Sequence, residues 1–281
     1  MKTNSIAKRT KLKFSDPVQD IVDIPRPIVA LVREYPDGHV IPLHQHHRSQ
    51  LLYASSGVMT VTTVKGLWVV PPLRAVWVPA LTEHQIHASG KLPMRTLYIK
   101  PNTITGLPQE CCVVSIPPLL RELILYAVTM PPLYQPSSLE ARIMTIILEL
   151  VQTLRGSPLE LPIPRDARLQ RIFQTLTENP ADNCSLEQWG SKVGATSRTL
   201  ARIFQSDTGM SFRQWRQQIR ILEALKRLAG NQLVTSVALD LGYDSPSAFI
   251  AMFRKAMGTT PGRYFKGGTI EIGEDGIAVS L

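Results

Sequence analysis

The chain is poor in cysteine, with only Cys111, Cys112 and Cys184 among 281 residues. An odd set without paired spacing excludes a disulfide framework and a cysteine-based zinc cluster, and it points to a reducing compartment. Long apolar runs are missing as well, since no stretch approaches the ~20 residues that a membrane-crossing helix needs. The basic start, with Lys2, Lys8, Arg9, Lys11 and Lys13, is not followed by an apolar segment of secretory type. These absences predict a soluble cytoplasmic protein with no membrane partner. Acidic side chains are in deficit: the formal net charge is +9, and residues 165–266 hold fifteen basic against eight acidic residues. Such an excess favours phosphate backbones through counterion release. No Ser/His/Asp or Cys/His grouping with useful local spacing occurs, which argues against nucleophilic catalysis.

What the chain does contain is a duplicated pattern between Ser185 and Tyr264. Leu186, Trp189, Gly190, Val193, Gly194, Thr196, Leu200, Ile203, Phe204 and Gly209 recur about 49 residues later as Val234, Val237, Ala238, Leu241, Gly242, Ser245, Phe249, Met252, Phe253 and Gly258. Each copy reads as helix, tight turn, helix. Apolar residues line one face, a small residue four before the turn glycine permits close crossing, and Thr or Ser caps the second helix. That is the recipe of a helix-turn-helix, whose second helix can lie in a DNA major groove. Between the copies, Ser211 to Ala229 reads as one continuous helix of roughly 28 Å. A rod of that length can hold two recognition helices about one turn of DNA, roughly 34 Å, apart.

On the first recognition helix the periodicity leaves Ser197, Arg198, Thr199, Ala201, Arg202 and Gln205 outward. Arg198 and Arg202 project side by side and suit the edge of guanine. On the second, Pro246, Ser247, Ala248, Ile250, Ala251 and Arg254 face out. Ser247 suits a base or phosphate, Ala248 or Ala251 a thymine methyl, and Arg254 a phosphate. The expected partner is double-stranded DNA, read chiefly by the first helix.

The amino-terminal half has a different texture. From Ile28 to Lys100 short β-branched and aromatic runs alternate with Gly and Pro, which predicts an antiparallel sandwich or barrel. All six histidines lie there: His39, His44, His46, His47, His84 and His87. His44 and His46 share one face of an extended strand, and a returning strand can bring His84 beside them. Three imidazoles with an oxygen donor suit a divalent first-row metal, or a polar pocket for a small effector. His39, His47 and His87 are expected at the surface or behind these ligands. Tyr53, Trp68 and Trp77 lie on strands and are candidate pocket walls, with core packing as the alternative for the tryptophans.

Gly38, His44, His46, Gln50 and Gly57 reproduce the spacing of the first cupin motif, and Pro79 and His84 part of the second, so this half resembles a cupin. Gln50 stands where the family has Glu, Leu81 where glycine is usual, and Ala88 where asparagine is usual. The resemblance implies a small-molecule pocket at His44, His46, Gln50 and His84, with Tyr53 and Trp77 beside it, and a divalent metal as a candidate cofactor on His44, His46, Gln50 and His84. The carboxy-terminal half, through SLEQWGSKVGATSRTLARIFQSDTGMSFRQWRQQIRILEAL and VALDLGYDSPSAFIAMFRKAMGTTPGRYF, closely resembles the DNA-binding domain of AraC/XylS-family transcription regulators. In that family the positions of Ala238, Gly242, Phe249, Phe253, Gly258 and Pro261 are structural, and those of Arg198 and Arg202 lie on the reading face. Ala251 departs from the polar or basic readers that occur in relatives.

Two helical segments join the halves. In the second, Leu139, Ile143, Ile146, Ile147, Leu150 and Leu154 recur at three and four residues, an apolar stripe suited to a homodimer contact, with packing on the barrel of the same chain as the alternative. Gly156, Ser157, Pro158, Pro162 and Pro164 read as a linker. The expected organisation is an α+β multidomain chain. Residues 1–20 form a basic flexible tail, 21–112 a cupin-like barrel, 113–156 a helical dimerisation segment, 157–165 a linker, 166–266 an all-α domain with two helix-turn-helix units, and 267–281 a flexible tail. The function implied is a sequence-specific transcription regulator, activator or repressor, that senses a small molecule and has RNA polymerase as a further partner. The alternative is a metal-dependent cupin oxygenase or isomerase fused to a DNA-binding domain.

Overall fold

The computed structural model describes residues 24–157 and 159–266; the two tails expected at the ends lie outside them. Strands form where β-branched residues alternate, and they assemble into two sheets. One runs in the order β1 (Ile28–Tyr35), β8 (Leu92–Ile99), β3 (Ser49–Ala54), β6 (Arg74–Val78), β9 (Cys112–Ser115), β10 (Gly156–Ser157). The other runs β11 (Glu160–Pro162), β5 (Gly66–Val70), β4 (Val58–Thr62), β7 (His84–Ser89), β2 (Val40–His44). All pairings are antiparallel.

The period of two sorts side chains between the faces. Leu52, Ala54, Val76 and Val78 of the first sheet join Met59, Val61, Trp68, Val70, Ile86 and Ala88 of the second in one buried cluster. Leu51, Tyr53, Ala75 and Trp77, offset by one residue, belong to another cluster. That second cluster is completed by α1 (Pro118–Ala127) and α2 (Leu139–Gln152), which cover the outside of the first sheet.

The stripe expected on α2 is split. Ile147 is buried together with Met144, Leu148 and Val151, whereas Leu139 is 54% and Ile146 44% exposed. With apolar residues on more than half its circumference, the helix covers the sheet with one face and presents another.

Residues 157–165 are not a free connector. The chain forms β11 there, pairing Glu160 with Trp68, Leu161 with Leu67 and Pro162 with Gly66, and buries Leu159 and Leu161. Proline is compatible with an edge strand, where a missing donor is not needed by a neighbour.

Beyond it come α3 (Ala167–Glu178), α4 (Leu186–Val193), α5 (Ser197–Thr208), α6 (Phe212–Ala229), α7 (Val234–Asp240), α8 (Pro246–Met257) and α9 (Pro261–Lys266). Capping boxes start α4 (Ser185 with Gln188) and α6 (Ser211 with Gln214), and Thr196 and Ser245 cap the recognition helices α5 and α8. In the first unit a Cβ on Gly190 would sit 2.4 Å from the Ala195 carbonyl, so only glycine lets the turn close there.

The central helix α6 organises both units. Its Arg220, buried, donates to the carbonyls of Pro180 (2.8 Å) and Asp182 (3.2 Å) and to Asn183 Oδ1 (2.8 Å) ahead of α4. Its Arg227 pairs with Asp240 of α7 at 3.1 Å. The same helix lies against β4, β5, β7 and β11, and the apolar cluster runs without a break from the barrel into the helical domain. The approach is close enough that a Cβ on Gly90, in the turn that carries the chain from β7 in one sheet to β8 in the other, would meet the Ala229 carbonyl at 2.8 Å.

Candidate functional site

His44 closes β2 and faces His84 at the start of β7, its cross-strand partner. A register shift between Ile41 and His44 re-aims the strand end. His46 follows in the adjoining loop. Ring centroids are 4.3 Å apart for His44 and His84, 5.2 Å for His46 and His84, and 6.0 Å for His44 and His46. One ring nitrogen from each lies within 4.8 Å of the other two.

The tautomers follow from the partners. Nδ1 of His44 lies 2.8 Å from the Pro42 carbonyl, Nδ1 of His46 2.5 Å from that of Arg48, and Nδ1 of His84 2.8 Å from that of Thr82. A carbonyl oxygen only accepts, so in each ring Nδ1 carries the proton and Nε2 holds a lone pair. The Nε2 atoms of His46 and His84 are buried without a hydrogen-bond partner, as is Oε1 of Gln50. Burial, reinforced by the neighbouring imidazoles, brings His84 down to about 4 against the pull of its Thr82 bond, and burial also lowers His46. His46 and His84 are therefore neutral at physiological pH. Converging acceptors without a donor fit a bound cation, and the backbone bonds behind them fix the ligand orientation.

Gln50 is 2% exposed and sits opposite Tyr98 across the β3–β8 pair, so both point to the same inner face. Tyr98 packs edge-on against His46 at 5.4 Å, and burial pushes its hydroxyl up to about 12. It is a neighbour of the histidine cluster that sequence reasoning missed; only the β3–β8 register reveals it. Tyr53 and Trp77, expected as pocket walls, do not join the histidines. They stand on the outer face against α1 and α2, and Trp77 Nε1 donates to the Pro108 carbonyl at 2.8 Å. Their correction comes from parity: Gln50 and Tyr53 are three residues apart on one strand and so face opposite ways. Trp68 does face inward. His39, His47 and His87 are exposed, and His39 stacks on Tyr35 at 4.6 Å.

On α5, Leu200 and Phe204 are fully buried, and Arg198, Ala201, Arg202 and Gln205 are exposed. Ser197 and Thr199 are half-buried, and Thr199 bonds the capping hydroxyl of Thr196 at 2.9 Å. Gln205 turns toward the helix end and donates to the Gly209 carbonyl at 3.1 Å. Arg198 and Arg202 form no hydrogen bond or ion pair among the described residues. On α8, Ser247, Ala248, Ala251 and Arg254 are exposed, while Ile250, expected outward, packs partly against the core. No helix among the described residues is long and apolar enough to cross a membrane.

Residues 26–183 match the AraC-like ligand binding domain, and residues 189–267 match a helix-turn-helix domain. The chain is 36% identical over 223 residues to the HTH-type transcriptional regulator NimR of Escherichia coli K12, covering 79% of this chain and 81% of that protein. With RipA of Corynebacterium glutamicum it shares 39% identity over 107 residues, 38% of this chain and 32% of RipA. Among solved structures, ToxT from Vibrio cholerae aligns with 86% of this chain and 98% of its own at 13% identity and a TM-score of 0.38. The DNA-binding domain of AdpA in complex with a target DNA aligns with 36% of this chain and 93% of its own at 27% identity and a TM-score of 0.34. An amino-terminal ligand-binding barrel joined to paired helix-turn-helix units places the chain in the AraC family of transcription regulators.

Proposed function

We propose that this regulator works as a homodimeric sensor, in which a small molecule bound by the barrel changes how the two helix-turn-helix units are presented to DNA. The observation that carries this reading is the seam between the halves. Gln218 Nε2 of α6 donates to the Glu160 carbonyl of β11 at 3.2 Å, and Trp215 Nε1 lies 3.4 Å from the Pro162 carbonyl. A helix that frames both DNA-binding units thus holds a strand of the ligand-binding barrel. An effector acts through such a seam only by its difference in affinity between two arrangements.

His44, His46, His84 and Gln50 are the residues that would hold a first-row dication, which would supply positive charge that ties the ends of β2 and β7 to β3 beside the effector cavity. Neutral Gln50 in place of a carboxylate favours sensing over metal-dependent turnover, because it leaves the metal more weakly held. Arg198 and Arg202 act as base readers, with Ser197, Thr199, Ala201 and Gln205 around them. Ser247, Ala248, Ala251 and Arg254 contact phosphate, methyl groups and shape. The exposed face of α2 supplies the dimer contact, and RNA polymerase is the further partner through which bound protein alters transcription.

Genome-wide mapping of DNA bound by the intact chain tests the reading. Discrete sites are expected, and they should vanish in an Arg198→Ala, Arg202→Ala double variant. Binding without sequence preference, or sites unchanged in the variant, would overturn it.

A further inference from the structure

Beside the histidines lies a cavity of about 400 Å³ lined by Thr63, Lys65, Trp68, Glu83, Glu110 and Glu160, with Thr82 and Cys111 among the remaining walls. Thr82 is the residue whose carbonyl holds His84, and Glu160 is the residue whose carbonyl is held by Gln218. The cavity therefore lies between the imidazole cluster and the strand that α6 grips.

Its charge is unbalanced. Lys65 is engaged by Glu110 at 3.0 Å at the exposed rim. Glu83 and Glu160 form no ion pair among the described residues. Glu160 is half-buried, and burial with the Glu110 carboxylate nearby raises its affinity for a proton. A desolvated carboxylate in that situation gains from any cation placed against it. Trp68 points to a ligand independently. It is 2% exposed and lines the cavity, yet its indole N–H is buried without an acceptor. Cys111 is no competitor, because burial pushes its thiol up to about 12 and keeps it neutral. The carboxylates do not converge as metal ligands do: among the described residues only His44, His46 and His84 form such a group.

We propose that this cavity is the effector seat and takes a small organic cation that also carries a hydrogen-bond acceptor. Glu160 and Glu83 neutralise the cation, and the Trp68 indole N–H donates to its acceptor. This deepens the sensor reading and rests on it. Because Glu160 is itself the strand residue bonded to α6, filling the seat acts directly on the seam.

The test is calorimetric titration of the full chain with 1-methylnicotinamide and 3-acetyl-1-methylpyridinium as cationic probes, and with nicotinamide and 3-acetylpyridine as their neutral counterparts. A cationic probe should bind once per chain, its neutral counterpart about tenfold or more weakly, and Glu160→Gln should remove that preference. Failure of both cations to bind, equal binding of a neutral counterpart, or an unchanged preference in Glu160→Gln would each overturn the seat. Circular dichroism reports whether that variant folds. If it does not, Glu83→Gln, at an exposed position, replaces it, with a partial loss of preference expected and none overturning the proposal. Titration of bound DNA separates the two claims: cation binding that leaves DNA affinity untouched supports the seat and counts against the sensor.

Discussion

The amide of Leu81 donates to the carbonyl of His46 at 2.8 Å, and Leu81 makes that bond from the left-handed backbone region, at φ +61°. The turn joining β6 to β7 is thus tied to the histidine cluster through a conformation that suits glycine, the residue cupins usually have here. An L-residue with a side chain gives up about 1–2 kcal/mol in this region, and glycine returns about half of that as extra freedom of the unfolded chain. Leu81 is 58% exposed, so removing its side chain uncovers little. Leu81→Gly should raise stability by about 0.5–1 kcal/mol. Urea unfolding checks this: the midpoint should rise with an unchanged slope, and a fall would show that the side chain matters more than the backbone.

In the proposed metal site, Gln50 would set how strongly a cation is held. Its Oε1 is buried without a donor beside two imidazole nitrogens in the same condition. Gln50→Glu places a charge there, which should cost the metal-free protein about 1–3 kcal/mol. It should also increase the gain in melting temperature on adding zinc or manganese, since stabilisation follows the ratio of metal concentration to Kd. An equal gain in both proteins would remove Gln50 from the ligand set.

The two recognition helices differ in what they expose. Arg202 on α5 stands on the same face as Arg198, whereas Arg254 on α8 shares its face with Ala248 and Ala251. Arg202→Ala should relax preference at one base position by about 1–3 kcal/mol and leave scrambled DNA nearly unaffected. Arg254→Ala should weaken specific and scrambled DNA alike and reduce the salt slope by about one. Titrations of both DNAs at several salt concentrations distinguish these outcomes. Equal losses on both DNAs for Arg202→Ala would make it a phosphate contact.

Much of this was legible because local periodicity carries it. The β-branched runs, the capped helices and the duplicated helix-turn-helix lie where the sequence pattern predicts them, and His44 meets His84 as its cross-strand partner, while His46 reaches them from the loop after β2 and not from the strand face that its two-residue spacing suggests. What stayed hidden depends on register and on neighbours. Tyr53 and Trp77 look like pocket walls until pairing with β6 and β8 shows that Gln50 alone points inward. Pro162 reads as a linker residue until β5 supplies an edge to pair with. Ile250 looks outward on a helical wheel, yet a neighbouring element half covers it. Glu160 carries no local signal at all, for its role follows from lying between a cavity and α6.

Leu139, Ile143, Ile146 and Leu150 on α2 are spaced by four, three and four residues, the rhythm of a helix-to-helix seam. Leu119 and Tyr126 of α1 are also exposed, at 60% and 51%. Ile146→Glu should convert a dimer to monomer while changing the stability of the folded chain by only about 0.5 kcal/mol, as for other exposed positions. Sedimentation equilibrium measures the first effect and urea unfolding the second. A variant that remains dimeric would move the contact elsewhere.

The seam itself is open to a subtler change. Gln218→Ala removes the donor to the Glu160 carbonyl and leaves both apolar cores intact. The loss of that neutral hydrogen bond should itself cost about 1 kcal/mol. That cost should fall on β11 and its hold on α6 rather than on the barrel or the helical domain, because the bond joins only those two elements. Hydrogen exchange of the intact chain localises it: amides of β11 should exchange about fivefold faster in the variant, while those of β3 and α3 keep their rates. Uniformly faster exchange would mean global destabilisation, and unchanged exchange at β11 would mean that the strand is held by its pairing with β5 alone. With Glu160 also a wall of the cavity, the first pattern alone is compatible with a ligand signal that passes through this bond.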